Sequence, residues 1–283
     1  MAGGDSPQEF YAYKPSLAGG VIIAILFAFL LFLHLFRLYT TRTWFCIPFS
    51  MGAIFEIIGY AARAQSNKQP HAQTPFLIQA IFILLAPILF AASVYMFLGR
   101  IIRSTGYESC SMVRPKWLTI IFVAGDIVCF FVQMVGAAMM GDAKTKAMLD
   151  RANTIVLVGL VAQIVIFGWF MLVGVVFHRR VRKIGGKLVV GGVNWERFLY
   201  WLYGVSIIIT FRNLFRVIEY ALGDDGYLLS TEWPIYVFDA IPMAFVLVVC
   251  SLWYVGGMDF GSNERGDIDM MIRGRGEGSS RGI

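Results

Sequence analysis

The sequence has little charge and few residues that could form a covalent or metal framework. Only 15% of its 283 residues are charged, whereas 58% are hydrophobic, and the mean hydropathy is +0.69. This composition is too apolar for an ordinary soluble domain and suits one helical bundle in a membrane. The four cysteines form no disulfide framework, and His34, His71 and His178 are too scattered to converge on a metal. We therefore expect no cofactor and no metal.

Several sequence signatures of enzymes and pumps are also missing. No Walker A pattern is present, so the chain itself has no means of using ATP. The last apolar run has no lysine that could hold retinal as a Schiff base. An acid–base enzyme built on Asp126 is the one catalytic alternative that the sequence leaves open. We do not expect the protein to be an enzyme.

Seven apolar runs are long enough to cross a bilayer, which takes about 20 mostly apolar residues. They predict spans at 17–38, 43–63, 75–99, 116–141, 153–177, 197–222 and 234–256. Residues 1–16 are polar and no cleavable signal peptide precedes the first run. We predict an all-α seven-helix membrane bundle with an extracellular segment at 1–16, a transmembrane domain at 17–256 and a disordered cytosolic tail at 257–283.

The basic residues predict the orientation of the bundle. Of 24 Lys and Arg residues, five lie on the side of the N-terminus and sixteen on the side of the tail. The side with more basic residues normally faces the cytosol, so the N-terminus should be outside and the tail inside. The net charge of +6 comes from short loops between apolar runs and indicates contact with lipid head groups rather than nucleic acid.

Charged and polar residues inside the spans are the main functional signal. Glu56, Tyr60 and Arg63 share one face of the second span, and Arg212, Arg216 and Glu219 share one face of the sixth. Each charge at the bilayer centre costs roughly 2.5–3.5 kcal/mol on insertion scales, so these residues should face the bundle interior and have partners. Further polar residues lie in the other spans: Gln79, Asp126, Gln133, Gln163, Tyr236 and Asp239.

The predicted orientation places most of these charges in the outer half of the bundle. Arg212, for example, lies about 22 Å from the inner end of its span at 1.5 Å per residue. Pro87 and Pro242 could kink the third and seventh spans near the same depth. We therefore predict a polar site in the outer half. The structural alternative is that the same charges only lock helices together by ion pairs.

The order of these motifs resembles the fungal lipid-translocating exporter family, the RTA-like proteins of aminocholesterol resistance and sphingoid-base release. The resemblance runs from about Tyr11 to Trp253. It is carried by Glu56-Ile-Ile-Gly59-Tyr60-Ala-Ala-Arg63, by Ala91-Ala92-Ser-Val-Tyr95 and above all by Arg212-Asn-Leu-Phe215-Arg216-Val-Ile-Glu219. Cys129 and Val135-Gly136-Ala137 depart mildly from the family pattern.

The resemblance implies a plasma-membrane protein that translocates lipid-like amphiphiles such as sphingoid long-chain bases, phospholipids or sterol-like drugs. Its partners would be these amphiphiles and membrane lipids, and drug resistance would be one consequence. Motif positions give the candidate substrate-binding residues: Glu56, Tyr60, Arg63, Gln79, Tyr95, Asp126, Gln133, Gln163, Arg212, Arg216, Glu219, Tyr236 and Asp239. The alternative is a seven-helix lipid sensor that signals through basic cytosolic loops.

Overall fold

A computed structural model describes residues 15–68, 72–141, 143, 145–184, 189–190, 193–222 and 231–252. The predicted extracellular segment lies outside the described residues except for Pro15 and Ser16, and the predicted tail lies outside them entirely.

Long helices make up nearly all of the described chain. They are α1 Leu17–Thr41, α2 Ile47–Ser66, α3 Gln73–Ser104, α4 Pro115–Gly141, α5 Lys146–Lys183, α6 Trp195–Leu222 and α7 Ile241–Leu252. A π-helix at Ile235–Ala240 leads directly into α7, and short 3₁₀ turns lie at Trp44–Cys46 and Glu108–Cys110. The strands seen in the described ranges are β1 (Val189–Val190) and β2 (Val193–Asn194), which pair antiparallel.

The prediction of an all-α membrane bundle is confirmed. Five helices (α1, α3, α4, α5 and α6) are long and apolar enough to cross a membrane by length and composition, and Ile235–Ser251 is a shorter apolar helix. The remaining helix, α2, has 20 residues and carries Glu56 and Arg63. The direction in which the chain crosses the membrane stays a prediction.

Several helices are longer than the apolar runs that predicted them. The predicted third and fifth spans end at 99 and 177, whereas α3 continues to Ser104 and α5 to Lys183. The last turns of these helices contain basic residues, among them Arg103, Arg180 and Lys183. Cations are favourable at a helix carboxyl terminus, so the helix continues where the apolar run stops.

The outer surface of the bundle is apolar. α1 shows this most clearly, because Ile22, Ile25, Phe29, Phe32 and Phe36 are all exposed. A soluble protein rarely exposes a continuous apolar face of this kind, whereas lipid tails solvate it. These side chains therefore mark the lipid-facing surface.

Successive helices pack side by side, and α7 closes the bundle against α1. Of the five long apolar helices, α3 is the most buried, and it also contacts α6. Four helices (α2, α3, α6 and α7) thereby surround one interior region. We call the end of the bundle at which α1 begins the amino end.

Candidate functional site

The polar residues singled out from the sequence face the interior of the bundle. Twelve of the thirteen candidates are buried, and Tyr236 is half-buried. None of them is turned toward the lipid-facing surface. The structure divides them into two groups, one near the amino end and one between α3, α4 and α5.

Arg212 of α6 connects three helices in the first group. It is 1% exposed, forms an ion pair with Asp239 of the π-helix and donates from Nη2 to the backbone oxygen of Ile83 in α3 at 3.0 Å. That oxygen is available because the residue four positions on is Pro87, which has no N–H to donate within the helix. The proline predicted as a kink therefore provides a hydrogen-bond acceptor for a buried arginine.

The π-helix and α7 together correspond to the predicted seventh span, and we call them the seventh helix. The π-helix determines where Asp239 lies along it. The N–H of Ile241 donates to the oxygen of Tyr236, five residues earlier, and the next residue is Pro242, which has no N–H. A wider turn of this type is rare and is often found at functional sites. Here it precedes the proline and carries the aspartate that pairs with Arg212.

Arg216 and Glu219 form a second ion pair on α6. The Arg216 Nη1 donates to Glu219 Oε2 at 2.7 Å, and the guanidinium carbon lies 5.2 Å from the centre of the Tyr220 ring. Both residues are buried. Glu219 is therefore paired with a base, Arg216, within one turn of the same helix. Tyr220 is a neighbour of this pair that the sequence interpretation missed.

Glu56 of α2 differs from these acids because neither of its carboxylate oxygens has a hydrogen-bond partner among the described residues. The residue is 1% exposed and interacts electrostatically with Asp239, Arg212 and Arg216. One turn on, the hydroxyl of Tyr60 also has no partner there, and its ring stacks on Phe27.

We call these side chains the buried cluster: Glu56, Tyr60, Arg212, Arg216 and Asp239. Besides the Glu56 and Tyr60 oxygens, Asp239 Oδ2 and Arg216 Nε make no hydrogen bond with any described residue. Buried polar atoms are normally satisfied, and each unsatisfied one costs about 1–3 kcal/mol. The buried cluster thus has acceptors and a donor available for a polar group.

A second set of contacts lies closer to the amino end. Glu232 Oε1 accepts hydrogen bonds from Arg63 at 3.2 Å, from the Tyr236 hydroxyl at 2.7 Å and from the Ser16 N–H at 2.8 Å. Arg63 also donates to the Tyr236 hydroxyl at 3.3 Å. We call these four residues the rim. They join the start of α1, the end of α2 and the start of the seventh helix.

Glu232 was missed as a site residue. It was not among the candidates, because it lies outside the predicted spans. One sequence signal could have identified Glu232. It is an acid just before the last apolar run, in a segment (223–233) that contains no Lys or Arg. Gln79 is buried four residues before Ile83 on α3.

The remaining candidates lie apart from the buried cluster. The Tyr95 hydroxyl of α3 donates to Asp126 Oδ2 of α4 at 2.7 Å, and Gln133 Nε2 of α4 donates to Gln163 Oε1 of α5 at 3.0 Å. These four residues form two hydrogen-bonded pairs, one between α3 and α4 and one between α4 and α5. The thirteen candidates therefore do not form one site.

The first group consists of buried acids, arginines and neighbouring tyrosines. Among the described residues no three His, Cys, Asp or Glu side chains come close enough to hold a metal ion. Buried acids and arginines instead alternate around one region of the bundle. Intramembrane charges of this kind mark a substrate or ion site in membrane proteins.

The fold and the charges together define an integral membrane protein with an intramembrane polar site. Residues 49–261 match the family described as RTA1 like protein. The chain therefore belongs to the RTA1-like family, as the resemblance in the sequence implied.

Three relatives from Saccharomyces cerevisiae illustrate the family. Protoporphyrin uptake protein 1 is 33% identical over 73% of this chain and 67% of its own length. Protein RTA1 is 30% identical over 85% of this chain and 83% of its own length. Sphingoid long-chain base transporter RSB1, from strain Lalvin EC1118, is 25% identical over 90% of this chain and 75% of its own length. No solved structure matches the chain significantly.

Proposed function

We propose that the protein is a transporter or translocase that moves lipid-like amphiphiles across the plasma membrane, and that the buried cluster binds the amphiphile's head group. The substrate class is that of sphingoid long-chain bases, phospholipids or sterol-like drugs. The names of two relatives support movement of amphiphilic molecules, since one is a sphingoid long-chain base transporter and the other a protoporphyrin uptake protein.

The observation that carries the proposal is the Glu56 carboxylate. It is buried, has two oxygens without a hydrogen bond among the described residues, and interacts electrostatically with Arg212 and Asp239. A carboxylate that served only to join helices would be bonded to a partner on another element, as Glu232 is to Arg63. Free acceptors in this position suit a group brought in by a ligand, such as an ammonium or hydroxyl.

The rim suggests how the cluster is reached. Its hydrogen bonds link three helix ends at the amino end, and three of the four end on one carboxylate, that of Glu232, which is only partly buried. A head group entering from this end would replace some of these bonds with its own. Its apolar tail would stay between helices, where lipid tails already solvate the protein surface.

The test is a flip assay with the full chain purified into vesicles. The probes are a fluorescent long-chain base and a fluorescent phospholipid, and the matched variants are Glu56→Gln and Glu108→Gln. Glu108 is exposed in a short 3₁₀ turn, so its substitution should leave movement at the wild-type rate. Glu56→Gln should slow movement about tenfold or more, because a hydrogen bond to a charged group contributes about 1.5–3 kcal/mol.

Two results would contradict the proposal. One is a Glu56→Gln variant that moves both probes at the wild-type rate. The other is wild-type protein that moves neither probe faster than protein-free vesicles do. Saturable binding of the long-chain base without any movement would instead favour the sensor alternative.

A further inference from the structure

A second buried acid, Asp126, lies in the interior away from the buried cluster. It is 1% exposed, and its Oδ2 accepts the hydrogen bond from Tyr95 at 2.7 Å. Its Oδ1 has no hydrogen-bond partner among the described residues. Along α4 it lies about 17 Å from Pro115 and about 23 Å from Gly141, so it is close to mid-depth.

Within the part of the chain that the structure describes, no base faces Asp126 from the helices packed against it. The groups that interact with it electrostatically are Tyr95 of α3 and Cys129 of its own helix. From 152 to 177, α5 has no titratable residue at all, and from 76 to 99, α3 has only Tyr95. The two buried arginines of α6 pair with other acids: Arg212 with Asp239, and Arg216 with Glu219.

Aromatic rings surround the hydrogen-bonded pair of Tyr95 and Asp126. The ring centre of Tyr95 lies 5.5 Å from that of Phe122, 5.9 Å from that of Phe167 and 4.5 Å from that of Phe170. All three phenylalanines are buried. An ionised carboxylate in this setting would lack a counter-ion, whereas Asp239, Glu219 and Glu232 each have one.

An asparagine could accept the Tyr95 hydrogen bond without the cost of burying a charge in the membrane. Unlike the amide of asparagine, a carboxyl group can bind and release a proton. We therefore propose that Asp126 is a proton-binding site and that proton exchange at its carboxyl group couples amphiphile movement to a pH gradient. This proposal depends on the transport function proposed above.

The step is simple in chemical terms. The carboxylate takes up one proton from one side of the membrane and later releases it to the other, with no other bond made or broken. Tyr95 acts as a positioning residue that holds the carboxyl group through Oδ2 and leaves Oδ1 for the proton. Intramembrane acids fill this role in proton-coupled transporters and pumps.

The first test uses the flip assay with and without a gradient of one pH unit. For one coupled proton, such a gradient should change the steady-state distribution of the fluorescent long-chain base by up to about tenfold. Protein-free vesicles measure the passive response of the probe, which is subtracted. Asp126→Asn should remove the protein-dependent response. Asp150→Asn, the same change at an exposed position of α5, should retain it.

A second measurement does not depend on transport. Infrared spectra of the purified protein at neutral pH should contain a carbonyl band from a protonated carboxyl group that Asp126→Asn lacks and Asp150→Asn retains. Identical spectra for wild type and Asp126→Asn would overturn the proposal. So would wild-type protein that moves the probe without any response to the gradient, a result that leaves the transport function standing. Wild-type protein that moves no probe contradicts both.

Discussion

Arg212 is the residue on which the buried cluster depends most. Its Nε pairs with Asp239, its Nη2 donates to the Ile83 oxygen, and its Nη1 donates to Asn213 at 3.4 Å. A planar guanidinium can serve three acceptors in fixed directions, whereas a lysine ammonium is a single point charge. The geometry therefore requires an arginine and not only a positive charge.

Arg212→Lys should lower the free energy of unfolding by about 1–3 kcal/mol, because at least one buried acceptor loses its donor. Thermal unfolding in detergent, followed by tryptophan fluorescence, measures this change. Arg151→Lys is the matched control, since Arg151 is exposed at the start of α5. Equal unfolding temperatures for the two variants would contradict the role given to the guanidinium.

Spacing in the sequence predicted which residues share a face, but not which residues pair. Offsets of three, four and seven placed Glu56, Tyr60 and Arg63 on one side of α2, and all three are buried. The pairing of Arg63 with Glu232 could not be foreseen, because Glu232 lies far along the chain from α2 and spacing within α2 carries no information about its position. Nor could spacing within single helices show that Asp126 lies apart from Arg212.

At the scale of helices, glycines set the distance between α4 and α5. A Cβ atom added at Gly136 would lie 2.9 Å from the Val156 nitrogen and 3.0 Å from the Ala152 oxygen. One added at Gly159 would lie 3.1 Å from the Cys129 oxygen. Backbone atoms cannot move aside as side chains do, so close approach of these two helices requires glycine.

Gly136→Ala should therefore destabilise the protein, even though alanine favours a helix by about 1 kcal/mol over glycine. Overpacking costs about 1–3 kcal/mol, and the helices must separate to accept the methyl group. Gly168→Ala is the matched control, because no atom of the described residues lies within 4 Å of a Cβ there. Unfolding temperatures in detergent should fall for the first variant and stay level or rise for the second. A lower unfolding temperature for Gly168→Ala than for Gly136→Ala would show that α4 and α5 do not pack this closely.

The helices themselves were largely predictable, because apolar length alone identifies a span. The π-helix at Ile235–Ala240 was not, since the sequence marks it only by the nearby Pro242. A proline indicates that a backbone hydrogen bond is missing, but not how the chain compensates for it. In this helix the compensation is a wider turn that carries Asp239.

For the whole molecule, the orientation in the membrane remains the main prediction from the sequence. Labelling with a membrane-impermeant maleimide can test it, because the four native cysteines are all buried. Met148→Cys, at the start of α5, should react on intact cells. Met112→Cys, in the loop between α3 and α4, should react only after the cells are permeabilised. Both methionines are exposed, at 43% and 51%. Reversed labelling would show that the bundle is oriented the other way.

The central claim is that an amphiphile's head group binds at Glu56, Tyr60 and their neighbours inside the bundle. A long-chain base with a photoactivatable group next to its amine tests this directly when cross-linked to the purified protein and mapped by mass spectrometry. We expect labelled peptides from α2, α6 and the π-helix, with labelling abolished by excess unlabelled base and strongly reduced in Glu56→Gln. Labelling confined to the lipid-facing side chains of α1, and unchanged in Glu56→Gln, would contradict the claim.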